Sequence, residues 1–310
     1  MPPPEPLVTI AIPTYNCAQY LPDALGSVLR QGLDDFEVLI MDNASEDATE
    51  EVVRSFGSER IRYIRNSRNL GSRENGRLCL VNSRGRYVRT FCADDVLLDG
   101  IVRLQLDILM TRPDVVLVTC DNFIADQDLN IEDYFPAFPG IHSGRRVIAA
   151  CLSGMANYIG GPSNVMFRRS EAIKTHVDAS YNSIADWKFY LKLLEHGGYA
   201  NIDKPGYVYR RHATSDTQAN CPDDLRQQEH LRLVGEFDAW NPLNCIKAVR
   251  AAGSAGRMTV ADQWVRALAP NRIARALFSF RDVYRMHRLW RRRSIVHSLQ
   301  VGQPSGAAAS

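Results

Sequence analysis

The sequence has little that would hold a chain together through covalent cross-links or a structural metal. Its seven cysteines are scattered over 310 residues, and no two show the Cys-x-x-Cys spacing of a zinc or redox motif. An odd, dispersed set of cysteines argues against a disulfide framework and is typical of a reducing compartment. The chain must therefore depend on a conventional hydrophobic core.

Long apolar runs and a strong excess of one charge are also missing. No stretch approaches the roughly 20 apolar residues of a membrane-spanning helix. The first residues, Met1 to Pro6, lack the basic start and apolar centre of a signal peptide. The formal net charge is only +2, which gives no overall attraction to nucleic acid or membranes. These absences predict a cytoplasmic protein that does not bind nucleic acid.

Apolar runs alternate with amphipathic segments along the first third of the chain. The apolar β-branched runs predict strands, and the segments with apolar residues every three to four positions predict helices. The predicted strands are 7–12, 36–41, 61–64 and 87–91, and the predicted helices are 18–31, a segment capped by Ser45 and running through Val53, and 70–82. This order predicts an α/β fold built on a parallel sheet.

Polar residues follow three of the predicted strands directly. Tyr15 and Asn16 follow the first strand, Asp42 follows the second, and Asp94 and Asp95 follow the fourth. In open α/β sheets ligands bind beyond the carboxyl ends of the strands. Neither the Gly-x-Gly-x-x-Gly of a dinucleotide site nor a P-loop is present. Two adjacent carboxylates suit a divalent cation, the alternative being an ordinary polar turn.

Six motifs together resemble the inverting glycosyltransferases of family 2, of bacterial type. In chain order they are Val8 to Asn16, Val38 to Ser45, Asn69 to Gly71 with Asn75, the acid pair, Ile184 to Lys188, and Tyr209 to His212. The resemblance covers about residues 7–212. It implies a GT-A fold, a Rossmann-like and mostly parallel sheet flanked by helices.

The resemblance also implies roles for individual residues. It assigns Asp95 to a Mn²⁺ or Mg²⁺ ion that bridges the donor diphosphate, and Asp42 to a hydrogen bond from the ring N–H of the base. His212 would complete the metal shell or touch the diphosphate, the alternative being an ordinary surface residue. The family's first acid is replaced here by Cys92, which leaves fewer hard ligands. The residues implied to bind the nucleotide are Pro13, Thr14, Tyr15, Asn16, Asp42, Asn69, Gly71, Arg73 and Asp94.

Asp186 matches the family's catalytic base. An inverting transfer needs one group that takes the proton of the acceptor hydroxyl while its oxygen attacks the anomeric carbon. Asp186 stands at the start of a predicted helix over 187–195. The alternative for such a residue is a first-turn acid that stabilises the helix dipole.

The implied substrates are a UDP-, dTDP- or GDP-sugar donor and a glycan or lipid-linked acceptor, as in polysaccharide biosynthesis. Two other functions stay open. A non-catalytic nucleotide-sugar-binding protein is suggested by the missing first acid. A nucleotidyltransferase on a related sheet normally uses a glycine- and lysine-rich first loop, which this chain lacks.

The chain is expected to divide near residue 215. A GT-A catalytic domain over 1–215 would have its nucleotide half at about 7–120 and its acceptor half at about 121–215, with residues 121–143 as an acceptor-side loop. A helical C-terminal extension over 216–310 would end in a disordered tail.

The segment 271–300 carries eight arginines, one acid and interleaved apolar residues. This pattern suits a helix lying on anionic lipid at the inner face of the membrane. Packing of that helix against its own catalytic domain or a partner is the alternative.

Overall fold

The computed structural model describes residues 5–154, 156–175, 180–215 and 223–237. These residues form a ten-stranded sheet covered by helices. The strands are β1 (Val8–Thr14), β2 (Phe36–Asp42), β3 (Ile61–Arg65), β4 (Tyr87–Thr90), β5 (Val96–Leu97), β6 (Val115–Ala125), β7 (Ile131–Phe135), β8 (Ile141–Ser143), β9 (Met166–Arg168) and β10 (Gly198–Arg210). The helices are α1 (Leu21–Leu29), α2 (Thr49–Ser55), α3 (Ser72–Asn82), α4 (Ile101–Thr111), α5 (Gly144–Gly154), α6 (Arg169–Lys174), α7 (Ala185–Leu193) and α8 (Asp223–Glu236).

The first half of the sheet is parallel. Strand β1 lies between β2 and β4, and β3 is the outer neighbour of β2. All residues of β2 are buried, as expected of a strand with helices on both faces. Because the four strands run the same way, their carboxyl ends meet at one edge. The predicted parallel α/β arrangement is confirmed here.

Strand β9 joins this half of the sheet to the rest. It pairs antiparallel with β4 on one side and with β6 on the other, and β6 pairs parallel with β10. The strand order is β3-β2-β1-β4-β9-β6-β10-β5, with β7 added to β6 and β8 added to β10. The antiparallel link brings distant parts of the sequence beside the end of β4.

The predicted acceptor-side loop at residues 121–143 is wrong as a description of the backbone. Strand β6 continues to Ala125, and β7 returns along it as a hairpin. The full length of β6 was hard to predict because Asp121 is a polar residue in a fully buried position of the strand. Its carboxylate accepts hydrogen bonds from the Tyr134 hydroxyl, from the backbone N–H of Ala137 (3.0 Å) and from Asn201 Nδ2 (3.0 Å).

The predicted helix cap at Ser45 is also wrong. Helix α2 begins at Thr49, and the Ser45 hydroxyl instead donates to Asp42 Oδ1 at 2.5 Å. The Thr49 N–H at the helix start donates to the Asp47 carboxylate at 3.0 Å. The buried Asp42 carboxylate is a charged and therefore strong acceptor close to Ser45, whereas the helix start is farther away. The Ser45 hydroxyl consequently donates to Asp42.

The described part of the predicted C-terminal extension is helix α8, which packs on α7 through a ring contact between Trp187 and His230 at 4.9 Å. The Arg-rich segment 271–300 and the predicted tail lie outside the described residues, and the domain division stays a prediction. Among the helices that the structure describes, none is both long and apolar enough to cross a bilayer.

Gly85 provides a test of how tightly β1 and β4 are joined. A Cβ at this position would lie 2.3 Å from the Thr9 backbone nitrogen, so Gly85→Ala forces backbone apart. We expect the free energy of unfolding to fall by about 1–3 kcal/mol. Gly76→Ala in α3 is the control, because nothing lies within 4 Å of its added Cβ. That change should raise stability by up to about 1 kcal/mol. Equal stability of the two variants in urea denaturation would contradict the close approach.

Candidate active site

An acidic turn follows β4 at the carboxyl edge of the sheet. Ligand atoms of Cys92, Asp94 and Asp95 all lie within 4.8 Å of one another. Asp95 is buried, and its two oxygens accept hydrogen bonds from the Ser163 hydroxyl (2.5 Å) and the Arg210 backbone N–H (2.9 Å). Burial, together with the negative charge of Asp94, raises the pKa of Asp95 well above its usual range. The turn therefore holds a crowded pair of acids.

Asp94 is the more accessible acid of the pair and lies against a histidine. Its Oδ2 is 2.9 Å from His212 Nε2, while His212 Nδ1 is 2.9 Å from the Thr214 hydroxyl. The His212 ring also packs on Tyr20, with ring centroids 4.4 Å apart. The imidazole is thus held on both edges and one face, and its Nε2 is directed to the acidic turn.

A buried loop before β9 supports the acidic turn from below. Besides donating to Asp95, the Ser163 hydroxyl accepts the Cys92 backbone N–H at 2.9 Å. The Ser163 carbonyl accepts a hydrogen bond from Arg89 Nη2 at 2.6 Å, and Thr90 donates to the Pro162 carbonyl at 2.7 Å. No local sequence pattern identifies Ser163 as a partner of the acids, because Asp95 lies 68 residues away in the chain.

Arg210 at the end of β10 is a buried cation that makes structural contacts. Its side chain is only 5% exposed and forms a 2.7 Å ion pair with Asp23 on α1. The guanidinium also lies 4.8 Å from the Tyr20 ring centroid. This pair fixes the end of β10 against α1, and the adjacent backbone N–H of Arg210 reaches Asp95 as a result. The partnership spans nearly the whole described chain, so no local pattern could have revealed it.

The turn after β1 is fastened to the turn after β2. Asn16 has a left-handed backbone (φ 50°), donates its N–H to the Ser45 hydroxyl at 2.9 Å and accepts the Glu46 N–H at 2.8 Å. Thr14 is buried, whereas Tyr15 is 42% exposed. Pro13 is paired with Met41 in the parallel register. Of the predicted nucleotide residues in this turn, Tyr15 and Asn16 are exposed to a ligand.

Asp42 ends β2 and is fully buried. Its Oδ1 accepts the N–H and hydroxyl of Ser45, at 2.9 and 2.5 Å. Its Oδ2 accepts the Tyr63 hydroxyl at 2.5 Å and Arg65 Nη1 at 2.9 Å. All four acceptor positions of the carboxylate are occupied, so a nucleobase N–H would have to displace one of these donors. The role of Asp42 in base recognition stays a prediction.

An amide network holds the predicted nucleotide segment at 69–73. Asn43, which sequence reasoning missed, donates to Asn69 Oδ1 at 2.8 Å and accepts the Leu70 N–H at 2.8 Å. Asn69 Oδ1 also accepts the Gly71 N–H at 2.8 Å. Gly71 has φ 84° and precedes α3, whose second residue is the half-buried Arg73. Asn43 directly follows Asp42, which was the available clue.

Asp186 is the second residue of α7 and is half-buried. Burial raises the pKa of its carboxyl to about 6, opposed by a hydrogen bond from the Trp187 backbone N–H at 2.8 Å. The predicted helix start is confirmed within two residues. A carboxylate in this state is ionised at neutral pH, yet it is a stronger base than a solvated aspartate.

Electrostatic contacts connect these separate segments. Burial and the charges of Asp95, Asp94 and Asp186 raise the pKa of the Cys92 thiol well above its usual range. Burial, with the charges of Asp94 and Asp42 among others, raises the pKa of Cys17 to about 11. The acids from the ends of β2 and β4 and the start of α7 therefore border a common region.

The residues around the acidic turn fit a hard divalent cation. Carboxylate oxygens and an imidazole nitrogen are suitable donors for Mn²⁺, and carboxylate oxygens for Mg²⁺. Burial and, after it, the negative charge of Asp94 raise the pKa of Asp95, and a cation would relieve the like-charge repulsion. Cys92 fits poorly because its thiol is held protonated.

Sequence relatives of the chain include a synthase and a glucosyltransferase of Escherichia coli. It is 28% identical over 236 residues to a chondroitin synthase of Escherichia coli, covering 74% of this chain and 32% of that protein. It is 24% identical over 230 residues to the Escherichia coli enzyme UDP-Glc:alpha-D-GlcNAc-diphosphoundecaprenol beta-1,3-glucosyltransferase WfaP, covering 74% of this chain and 87% of that protein. The chain thus spans about a third of the first relative and most of the second.

A solved structure with the same fold is that of S. aureus TarS residues 1–349 in complex with UDP-GlcNAc. The TM-score is 0.61 at 16% identity, covering 84% of this chain and 79% of that one. The expected GT-A fold is confirmed. The model of Glycosyl transferase family 2 matches residues 9–174, a little more than half of the chain. The acidic turn, its histidine and the half-buried aspartate lie in one region of this fold. Because the family model matches more than half of the chain, the chain belongs to glycosyltransferase family 2.

Proposed function

We propose that the chain is an inverting glycosyltransferase that moves a sugar from a nucleoside-diphosphate donor to an acceptor hydroxyl, with Asp186 as the general base. The observation that carries this proposal is the state of Asp186. It is a half-buried carboxylate with a pKa of about 6, and its charge reaches Cys92 beside the acidic turn.

The reaction is a single displacement. The proton of the acceptor hydroxyl passes to the Asp186 carboxylate while the acceptor oxygen forms a bond to the anomeric carbon. The bond between that carbon and the diphosphate oxygen breaks on the opposite face, and its electron pair leaves with the nucleoside diphosphate. The configuration at the anomeric carbon is inverted. Protonated Asp186 then returns its proton to solvent.

Asp94, whose side chain is 20% exposed, is proposed to supply the accessible donor to Mn²⁺ or Mg²⁺, with the adjacent His212 as a second ligand. Asp95, the ligand expected from the sequence, already accepts two hydrogen bonds in a buried position. It contributes mainly by holding the turn behind Asp94 through those two hydrogen bonds. A bound cation would offset the charge that develops on the leaving diphosphate.

The donor is proposed to be a UDP-sugar, with GDP- and dTDP-sugars as the alternatives. Support comes from the WfaP relative, whose name gives UDP-Glc as donor and a diphosphoundecaprenol-linked sugar as acceptor. A glycan or lipid-linked acceptor would suit a cytoplasmic enzyme at the inner face of the membrane. Lipid contact through residues 271–300 stays a prediction.

Replacing each acid of the turn separately tests the cation proposal. Asp94→Asn removes an accessible oxygen, so it should weaken Mn²⁺-dependent binding of UDP by about tenfold or more. Asp95→Asn removes charge but not an accessible donor and should have a smaller effect. Asp99→Asn changes an exposed acid of the same segment and is the matched control. Calorimetric titrations with and without Mn²⁺ measure this. Equal Mn²⁺-dependent affinities in Asp94→Asn and the parent would contradict the assignment.

Asp186→Asn tests the general base. The amide keeps the size of the side chain but cannot take a proton, so transfer should fall by about 10² to 10⁴. Donor affinity should stay within about twofold. Asp107→Asn on α4, where the acid is 48% exposed, is the control. Transfer within a few-fold of the parent would mean that Asp186 is only a first-turn acid.

Stability gives a second, independent expectation for the same variant. Because burial raises the folded pKa of Asp186 to about 6 from 3.8, its ionised form destabilises the folded protein at neutral pH. Asp186→Asn should therefore raise the free energy of unfolding at pH 7 by about 1–3 kcal/mol. The gain should disappear as the pH falls from 6 toward 4. A loss of stability at pH 7 would indicate a structural role.

The pH dependence of transfer follows from the same pKa. Below about pH 6, Asp186 is increasingly protonated and cannot accept the hydroxyl proton. The value of kcat/KM should be level near neutral pH and fall toward tenfold per pH unit below that point. Rates measured between pH 5 and pH 8 at saturating Mn²⁺ check this. A rate that rises on acidification would contradict the assignment of Asp186 as the base.

A further inference from the structure

Helix α8 places a buried carboxylate against the backbone that leads into α7. Glu229 is only 5% exposed. Its oxygens accept the backbone N–H groups of Asn182 (2.5 Å), Ser183 (2.7 Å) and Ile184 (3.2 Å). A carboxylate with three backbone donors is a strong, charge-assisted arrangement. The three N–H groups lie immediately before α7, the helix that carries Asp186.

Helix α7 has no cap from its own sequence. Its N-cap residue is Ile184, which has no side-chain oxygen and makes no side-chain cap hydrogen bond. The N–H groups at a helix start lack partners within the helix and need acceptors from elsewhere. A negative charge at this end is also favoured by the helix dipole. Glu229 accepts the N–H of Ile184 and of the two residues before it, and it brings a negative charge to this end from another helix.

Further contacts hold α8 on the same segment. Glu236 forms a 2.5 Å ion pair with the buried Lys188 and accepts the Tyr181 hydroxyl at 2.7 Å. Arg232 donates to the Ser180 carbonyl at 3.2 Å. The segment before α7 is therefore held along its length by one face of α8.

We infer that Glu229 is a positioning residue for Asp186. By accepting the three N–H groups before α7, it fixes the first turn of that helix and hence the place of the carboxylate relative to the acceptor. The inference rests on the proposed role of Asp186 as the base. It assigns to the start of the C-terminal extension a part in catalysis through α7.

The expected cost of losing this contact is kinetic. Displacing a catalytic group by about 1 Å can lower a rate by about 10²-fold. Among the described residues, Glu229 accepts hydrogen bonds from residues 182–184 and from none in the turns after β1, β2 and β4. Nucleotide affinity should therefore be preserved. A positioning role thus predicts a lower kcat with little change in Mn²⁺-UDP affinity.

Glu229→Gln is the test variant because it keeps the shape but replaces one acceptor oxygen with a donor facing N–H groups. Gln228→Ala, at an exposed position of the same helix, is the control. Turnover is measured as nucleotide release from UDP-glucose, UDP-GlcNAc and GDP-mannose with Mn²⁺. The same change is also made in the Asp186→Asn background. Amide hydrogen exchange over residues 180–190 reports directly on the contact.

We expect Glu229→Gln to lower kcat by about 10- to 100-fold, to speed exchange at residues 182–184, and to leave UDP affinity within about twofold. In the Asp186→Asn background the further loss should be less than about twofold, because a misplaced base that is already absent costs nothing. A kcat near that of the parent, or an equal loss in both backgrounds, would overturn the inference. Failure of Asp186→Asn alone to lower turnover would instead overturn the proposed function.

Discussion

The site depends on concentrated negative charge at the end of β4. Asp94 and Asp95 stand side by side, and Asp95 is buried. The negative charge of Asp186 also acts on this turn, because it helps to raise the pKa of Cys92. Like charges in a poorly solvated place repel strongly unless donors or cations surround them. Much of the surrounding structure supplies those donors. The negative charge that they leave uncompensated makes the turn suited to a cation.

The donors come from the second half of the sheet. Ser163 precedes β9, while the Arg210 backbone and His212 stand at and after the end of β10. The acidic turn is therefore completed only when β9 and β10 are in place beside β4. The Arg210 ion pair with Asp23 adds a link from β10 back to α1. Fold and site are coupled because residues that close the sheet are also the partners of the acids.

Much of the architecture could be predicted because local patterns encode it. The continuous apolar runs of β1 and β2 identify buried strands, and the polar residues that end them identify the edge where we expect ligands. The start of α7 could be placed within two residues for the same reason. These features depend on neighbours in sequence, which periodicity reports well.

The parts that sequence reasoning missed depend on distant partners. Ser45 has a side chain suited to a helix cap, but the buried Asp42 is a better partner for its hydroxyl. Asp121 interrupts an apolar strand because Tyr134 and Asn201 satisfy it. Glu229 looks like an ordinary helix residue until three backbone N–H groups are found against it. In each case, a tertiary hydrogen bond outweighs the local preference.

A single displacement assisted by one carboxylate inverts the anomeric carbon. The anomeric configuration of the product therefore tests this mechanism directly. Proton NMR of the glycoside formed on an acceptor hydroxyl gives that configuration from the coupling of the anomeric proton. We expect a configuration opposite to that of the sugar in the donor. Retention of the donor configuration would contradict it, because a single attack opposite the leaving diphosphate cannot preserve the anomeric centre.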